Sequence, residues 1–198
     1  MDNTIERNGF YIQAGTSIRI VFITMVICCL LYPLVILGLG QTLTPNSANG
    51  SLVSNGRGEI VGSKLIAQKF DRPEYFWPRP SEVDYNAAAA GGSNLSPTNP
   101  ELRERAKALV ARFEVSGDDP IPADLVTASG SGLDPNITLA AAKYQTKRVA
   151  SARGLPAETV IEVLRKYAYR PGGALTPQSR ARVINVLLVN MALDRLDK

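Results

Sequence analysis

Residues Ile20 to Leu39 form an unbroken run of twenty residues without a single charge, IVFITMVICCLLYPLVILGL. A helix of that length rises about 30 Å, the thickness of a bilayer's hydrocarbon core. Arg19 closes the run on one side, and on the other no charge follows until Arg57. A cleaved signal peptide has a shorter apolar region, of about 7–15 residues, and a small-residue cleavage site. Gly38-Leu39-Gly40-Gln41 is a poor match to that pattern. A buried core helix would keep a polar face, and this run has none. An uncleaved transmembrane anchor over residues 20–40 is the expectation, with Pro33 tolerated where its freed carbonyl finds another donor.

Arg7 and Arg19 precede the run and only Arg57 follows it closely. By the positive-inside rule, residues 1–19 form a short cytoplasmic N-terminus. Residues 41–58, rich in Thr, Asn, Ser and Gly, read as a tether. Residues 59–198 then form one soluble α+β domain outside the inner (plasma) membrane. The expected architecture is α+β: one N-terminal transmembrane helix followed by a single helix-rich extracytoplasmic domain.

Several chemistries are excluded at once. The chain has 198 residues and no histidine, so it lacks the commonest general base and metal ligand. Its two cysteines, Cys28 and Cys29, are adjacent and lie within the apolar run. They form neither a CxxC pair nor a plausible structural disulfide. The net charge of +4 is spread through interleaved acids and bases, so nucleic acid is not an expected partner. Neither a catalytic centre nor a metal site is expected in this chain.

Within the domain, Glu59 to Phe70 reads as a strand or strand pair. Thr98 or Asn99 can cap a helix opened by Pro100 and running to about Val115, with Leu102, Ala106, Leu109, Val110 and Phe113 on its apolar stripe. Asp118 to Pro122 reads as a turn. Thr138 can cap an Ala-rich helix to Arg153, stopped by Gly154. Pro156 opens another helix to about Tyr169, broken by Pro171-Gly172-Gly173. Val183 to Leu196 fits a helix, although its β-branched residues leave a strand open.

Four segments could carry function. Tyr75-Phe76-Trp77-Pro78-Arg79-Pro80-Ser81, followed by Tyr85-Asn86, combines aromatics with prolines and suits a rigid partner interface at Tyr75, Phe76 and Trp77, or a loop packed on its own domain. Gly91 to Pro100 leads into a helix N-terminus, where it can hold an anion or simply cap. Thr127 to Asn136 contains Ser129-Gly130-Ser131-Gly132 but lacks the terminal Lys-Ser/Thr of a P-loop. With no histidine to activate a serine it is no nucleophile elbow, and Asp134 reads as a turn acid. Ala140 to Arg153 places Gln145, Arg148 and Ala152 on one helical face.

In this order and spacing the segments resemble the C subunit of Kdp-type potassium-transporting P-type ATPases. The resemblance covers nearly the whole chain: the span, Gly62 to Gln68, Tyr75 to Asn86, Gly91 to Pro100, Asp124 to Asn136, Ala140 to Arg153, and Arg182 to Asp194. Departures are small: Ala67 stands where the family often has Gly, and Trp77-Pro78 and Asn136 occupy positions that vary or are often polar. The resemblance implies a non-catalytic accessory subunit of a high-affinity potassium uptake complex. Its implied partners are a channel-like potassium-translocating subunit, a P-type ATP-hydrolysing subunit and a small membrane subunit. It also implies a catalytic chaperone that raises the pump's ATP affinity. ATP contact within the complex is implied around Ser129, Gly130, Ser131, Gly132 and Gln145, while no cofactor is expected on the chain alone. The outward topology conflicts with that contact and favours a cap on the outer mouth of the translocating subunit. The alternative is a single-pass periplasmic binding or scaffold protein unrelated to potassium. A membrane-anchored hydrolase is disfavoured by the missing histidine.

Overall fold

The computed structural model describes residues 3–113, 120–172 and 181–196. The chain divides into two compact units, Met1–Ser51 and Leu52–Lys198.

The first unit is one long helical rod. Helix α1 (Asn3–Met25) runs through a π-helical turn (Val26–Leu31) into α2 (Tyr32–Leu43), and a single turn, α3 (Pro45–Ala48), follows. The wide turn immediately precedes Pro33, which can neither donate to the preceding turn nor fit its ring there. Local widening is a usual accommodation for such a residue. Helical residues from Gly9 to Leu43 are long and apolar enough to cross a membrane, and none of the most apolar stretch is buried inside the protein. Phe22, Leu31, Leu34 and Leu37 are all more than half exposed. A core helix would hide these side chains, so that reading does not fit. The polar hydroxyls turn inward on the helix: Thr16 donates to the Ile12 carbonyl and Thr42 to that of Gly38. The helix is longer than the apolar run and takes in most of the residues assigned to the cytoplasmic N-terminus.

The second unit opens with an antiparallel hairpin of β1 (Leu52–Ser54) and β2 (Ile60–Ser63). Its turn is organised by Asn55, whose Oδ1 accepts from the Arg57 and Glu59 amides. The first strand thus lies inside the stretch read as tether. Residues from Lys64 to Asn99 form no named helix or strand, and hydrogen bonds to distant parts of the same domain help hold them, such as Ala67 N–H to the Leu133 carbonyl at 2.9 Å. Helix α4 (Pro100–Arg112) is capped by Asn99, which accepts from the Glu101 amide. Its apolar stripe is only half-covered, and Val110 is exposed. The turn expected over Asp118 to Pro122 falls mostly outside the described residues.

The core lies between the remaining elements. Strand β3 (Asn136–Thr138) leads into α5 (Leu139–Arg153), whose first turn is capped by Thr138. Gly154, with φ of +64°, ends α5 in the left-handed region that glycine enters most easily. Helix α6 (Ala157–Tyr167) packs back on α5. Strand β4 (Val183–Asn185) pairs antiparallel with β3 and runs directly into α7 (Val186–Asp194), capped by Asn185. Both readings of Val183 to Leu196 are therefore realised in succession. Phe76, Leu125, Ile137, Val149, Val160, Leu164, Ile184, Val189 and Leu193 form one buried cluster. Ala141, Ala142 and Ala150 keep the buried face of α5 narrow and are themselves part of that cluster. The mixed helix and strand architecture, with one apolar N-terminal helix, matches the expected fold class.

Candidate functional site

The segment Pro73 to Trp77 leaves a turn, in which the Tyr75 amide donates to the Arg72 carbonyl at 3.2 Å, and passes through Phe76 and Trp77 as a strap with no neighbouring strand. In an extended chain successive residues turn their N–H and C=O groups to opposite sides, and each buried group needs a partner. Two buried carboxamides supply them. Asn190 of α7, 1% exposed, accepts from the Phe76 amide at 2.8 Å and donates from Nδ2 to the Phe76 carbonyl at 3.0 Å. Gln145 of α5, also 1% exposed, does the same for the next residue. Its Oε1 accepts from the Trp77 amide at 2.9 Å, and its Nε2 donates to the Trp77 carbonyl at 3.1 Å. Side-chain amides on two helices thus stand in for the two strands that would flank a β-strand.

Arginines complete the strap. Arg148 donates to the Pro73 and Tyr75 carbonyls and, at 2.7 Å, to Gln145 Oε1. Arg153 donates to the Glu74 carbonyl at 2.7 Å and pairs with Asp194 at 2.8 Å. Every carbonyl from Pro73 to Trp77 therefore accepts from a side chain. The Trp77 indole N–H closes the system by donating to the Arg72 carbonyl at 3.1 Å.

This geometry decides what the aromatic residues do. Phe76 is fully buried in the core, so its ring is unavailable to a partner and the interface expectation loses it. Trp77 is 8% exposed and lies between Arg148 and Arg112, whose guanidinium carbons sit 3.7 and 3.8 Å from the ring centroid. Two guanidinium groups that close to one ring must occupy opposite faces. Burial, and secondarily the charge of Arg112, lowers the Arg148 guanidinium to about 10. Tyr75 is half-buried, with Arg153 and Arg72 beside its ring. Burial is also the main reason its phenol is raised above the usual value.

The Ser/Gly segment is equally committed to the fold. Ser129 is buried, and its amide donates to the Pro80 carbonyl at 3.1 Å. The Ser131 side chain accepts from the Leu133 amide at 3.1 Å, and its carbonyl accepts from the Gly91 amide at 2.9 Å. A Cβ on Gly92 would approach the Gly130 carbonyl oxygen to 2.9 Å. A Cβ on Gly132, which has φ of +69°, would meet Val83 at 2.7 Å and the Gly91 carbonyl oxygen at 3.0 Å. The glycines thus let two loops touch, and the structure brings Gly91-Gly92 and Ser129 to Gly132 together. Asp134 is the turn acid expected: its Oδ1 accepts from the Asn136 amide at 3.0 Å, and Oδ2 pairs with Arg79 at 3.2 Å.

The cleft that Gln145 lines does not reach the Ser/Gly loop among the described residues. Gln145 lines a cleft of about 940 Å3 with Trp77, Arg112, Phe113, Tyr144 and Arg148, and none of Ser129 to Gly132 borders it. A second cavity of about 600 Å3 lies beside Tyr75, Asn190 and Asp194. Among the described residues no group of His, Cys, Asp and Glu could hold a metal ion. Sequence reasoning gave Asn190, Asn185 and Arg153 no role. The available signal was one asparagine within the apolar run Val186-Leu187-Leu188-Val189-Asn190-Met191, a polar group that burial obliges to find partners.

Comparison with known proteins identifies the family. The family model described as K+-transporting ATPase, c chain, matches residues 14–195. A potassium-transporting ATPase KdpC subunit from Parvibaculum lavamentivorans is 49% identical over 181 residues, covering 91% of this chain and 95% of the relative. Its counterpart from Myxococcus xanthus is 47% identical over 186 residues, covering 91% of this chain and 86% of the relative. One from Gloeobacter violaceus is 46% identical over 182 residues, covering 92% and 95%. The chain belongs to the family of the c chain of K+-transporting ATPases.

Proposed function

We propose that this chain is a membrane-anchored accessory subunit of an ATP-driven potassium uptake complex, acting through assembly and carrying no catalytic centre of its own. Its relatives are named as KdpC subunits of potassium-transporting ATPases, and its length matches theirs. The observation that carries the assembly reading is the commitment of Gln145. Both atoms of its carboxamide bond the main chain of Trp77, and Oε1 accepts from Arg148 as well. That leaves one Nε2–H on a side chain that is 1% exposed, so Gln145 is spent on the fold rather than offered to a nucleotide.

The charge pattern supports the same view. Arg7 and Arg19 before the span favour a cytoplasmic N-terminus, which would put the domain outside, away from cytoplasmic ATP. The domain then works from the outer face, on the channel-like translocating subunit, with the P-type and small membrane subunits completing the complex. Any rise in ATP affinity is transmitted through that assembly, as a coupling free energy between distant sites. A tagged copy co-expressed with the other subunits should bring down the large translocating subunit from detergent extracts. Recovery of the tagged chain alone would leave an unrelated single-pass scaffold as the better reading.

A further inference from the structure

The cleft beside Trp77 carries four cations on two helices: Arg112 at the end of α4, and Lys143, Lys147 and Arg148 on α5. Among the described residues none of them is ion-paired, and no carboxylate lines the cleft. Arg112, Lys143 and Lys147 are exposed. Elsewhere in the domain Arg79, Arg105, Arg153 and Arg165 each have a carboxylate partner. Unpaired like charges repel, and their crowding shows at Arg148, where Arg112 adds to burial in weakening the protonated form. The walls between the cations are apolar and stiff, made by Trp77, Phe113, Tyr144 and prolines. Among the described residues the buried Tyr144 hydroxyl has no hydrogen-bond partner.

We infer that this cleft is a docking site for an extended, acidic segment of a partner polypeptide. The inference rests on the accessory-subunit reading for which complex supplies that partner. Spacing favours a chain over a single anion. Lys143 and Lys147 are four residues apart on one helix face, about 6 Å at a rise of about 1.5 Å per residue. Alternate residues of an extended strand stand about 6.6–6.8 Å apart, so carboxylates at every second position meet the two lysines in turn. A phosphate site would instead converge its donors on one point. Arg148 is already held by the Pro73 and Tyr75 carbonyls and by Gln145, so it contributes a fixed charge and leaves Arg112 and the lysines to pair. Rigid aromatic and proline walls suit the apolar residues of such a segment.

Trp77 is the chain's only tryptophan, so its fluorescence reports directly on the cleft. The test uses the full-length chain in phosphatidylcholine nanodiscs, titrated with poly-L-glutamate, with inorganic phosphate, and with vesicles containing phosphatidylglycerol. The expected result is a saturable change in Trp77 emission with poly-L-glutamate alone, weakening with added salt. The double variant Lys143→Glu/Lys147→Glu should bind at least tenfold more weakly at an unchanged melting temperature. Lys166→Glu, an exposed change on α6, should bind as the parent does. Unchanged binding by the double variant overturns the inference. So does a response to phosphate or to the vesicles that depends on the same two lysines. Because the readout needs no other subunit, it is independent of the co-purification that tests the accessory-subunit reading.

Discussion

The Gln145 carboxamide and the main chain of Trp77 exchange two hydrogen bonds across 68 residues of sequence, Trp77 N–H to Oε1 and Nε2–H to the Trp77 carbonyl. Leaving a buried donor or acceptor unsatisfied costs about 1–3 kcal/mol. Gln145→Ala orphans both Trp77 groups and removes one acceptor from Arg148. It should destabilise the full-length chain by roughly 2–4 kcal/mol, read as a fall in urea midpoint in detergent. A variant of unchanged stability whose complex requires more ATP would return Gln145 to a nucleotide role.

Asn190→Ala should act in the same way on Phe76, since both of its strap bonds are buried. Because the two carboxamides hold consecutive residues, their removals are not independent. Once one releases the strap, the other has less left to hold. The double variant should be less destabilised than the sum of the singles, by about 0.5–3 kcal/mol of coupling. Strict additivity in the unfolding midpoints would show that the strap is not held as one unit.

The Ser/Gly loop allows a differential test. Gly132→Ala meets Val83 and the Gly91 carbonyl and requires a left-handed backbone. It should cost at least about 1–2 kcal/mol. A Cβ on Gly130 meets nothing within 4 Å, so Gly130→Ala should be near neutral for stability. If Gly130→Ala nevertheless raises the ATP requirement of the assembled pump, the loop is doing more than packing.

Orientation gives a further expectation. External protease on intact spheroplasts should remove the domain that follows Ser51, because the basic residues flanking the span favour an inward N-terminus. Digestion only after lysis would place the domain beside cytoplasmic ATP.

Much of this fold was legible in the sequence. The chargeless run marked the apolar helix. Thr138 and Gly154 mark helix ends, and Asn99 proves to be the cap of the two candidates Thr98 and Asn99, because caps act locally, through bonds spanning two to four residues. β1 escaped because three residues inside a Ser/Asn/Gly-rich stretch leave no periodicity to detect. The aromatic segment suits an interface or a packed loop by sequence, and burial of Phe76 favours the latter. Gln145 borders one cleft together with Arg148 and Ala152, but its bonds to Trp77 have no signature in the sequence. A carboxamide that imitates a neighbouring strand is defined by a partner far away in sequence, and no local pattern carries that.

Potassium-stimulated ATP hydrolysis by the purified complex, titrated with ATP with and without this chain, tests the central claim most directly. The account predicts stimulated turnover at lower ATP when the chain is present, and no hydrolysis by the chain alone. A complex that assembles without the chain and shows the same turnover and ATP dependence would contradict it.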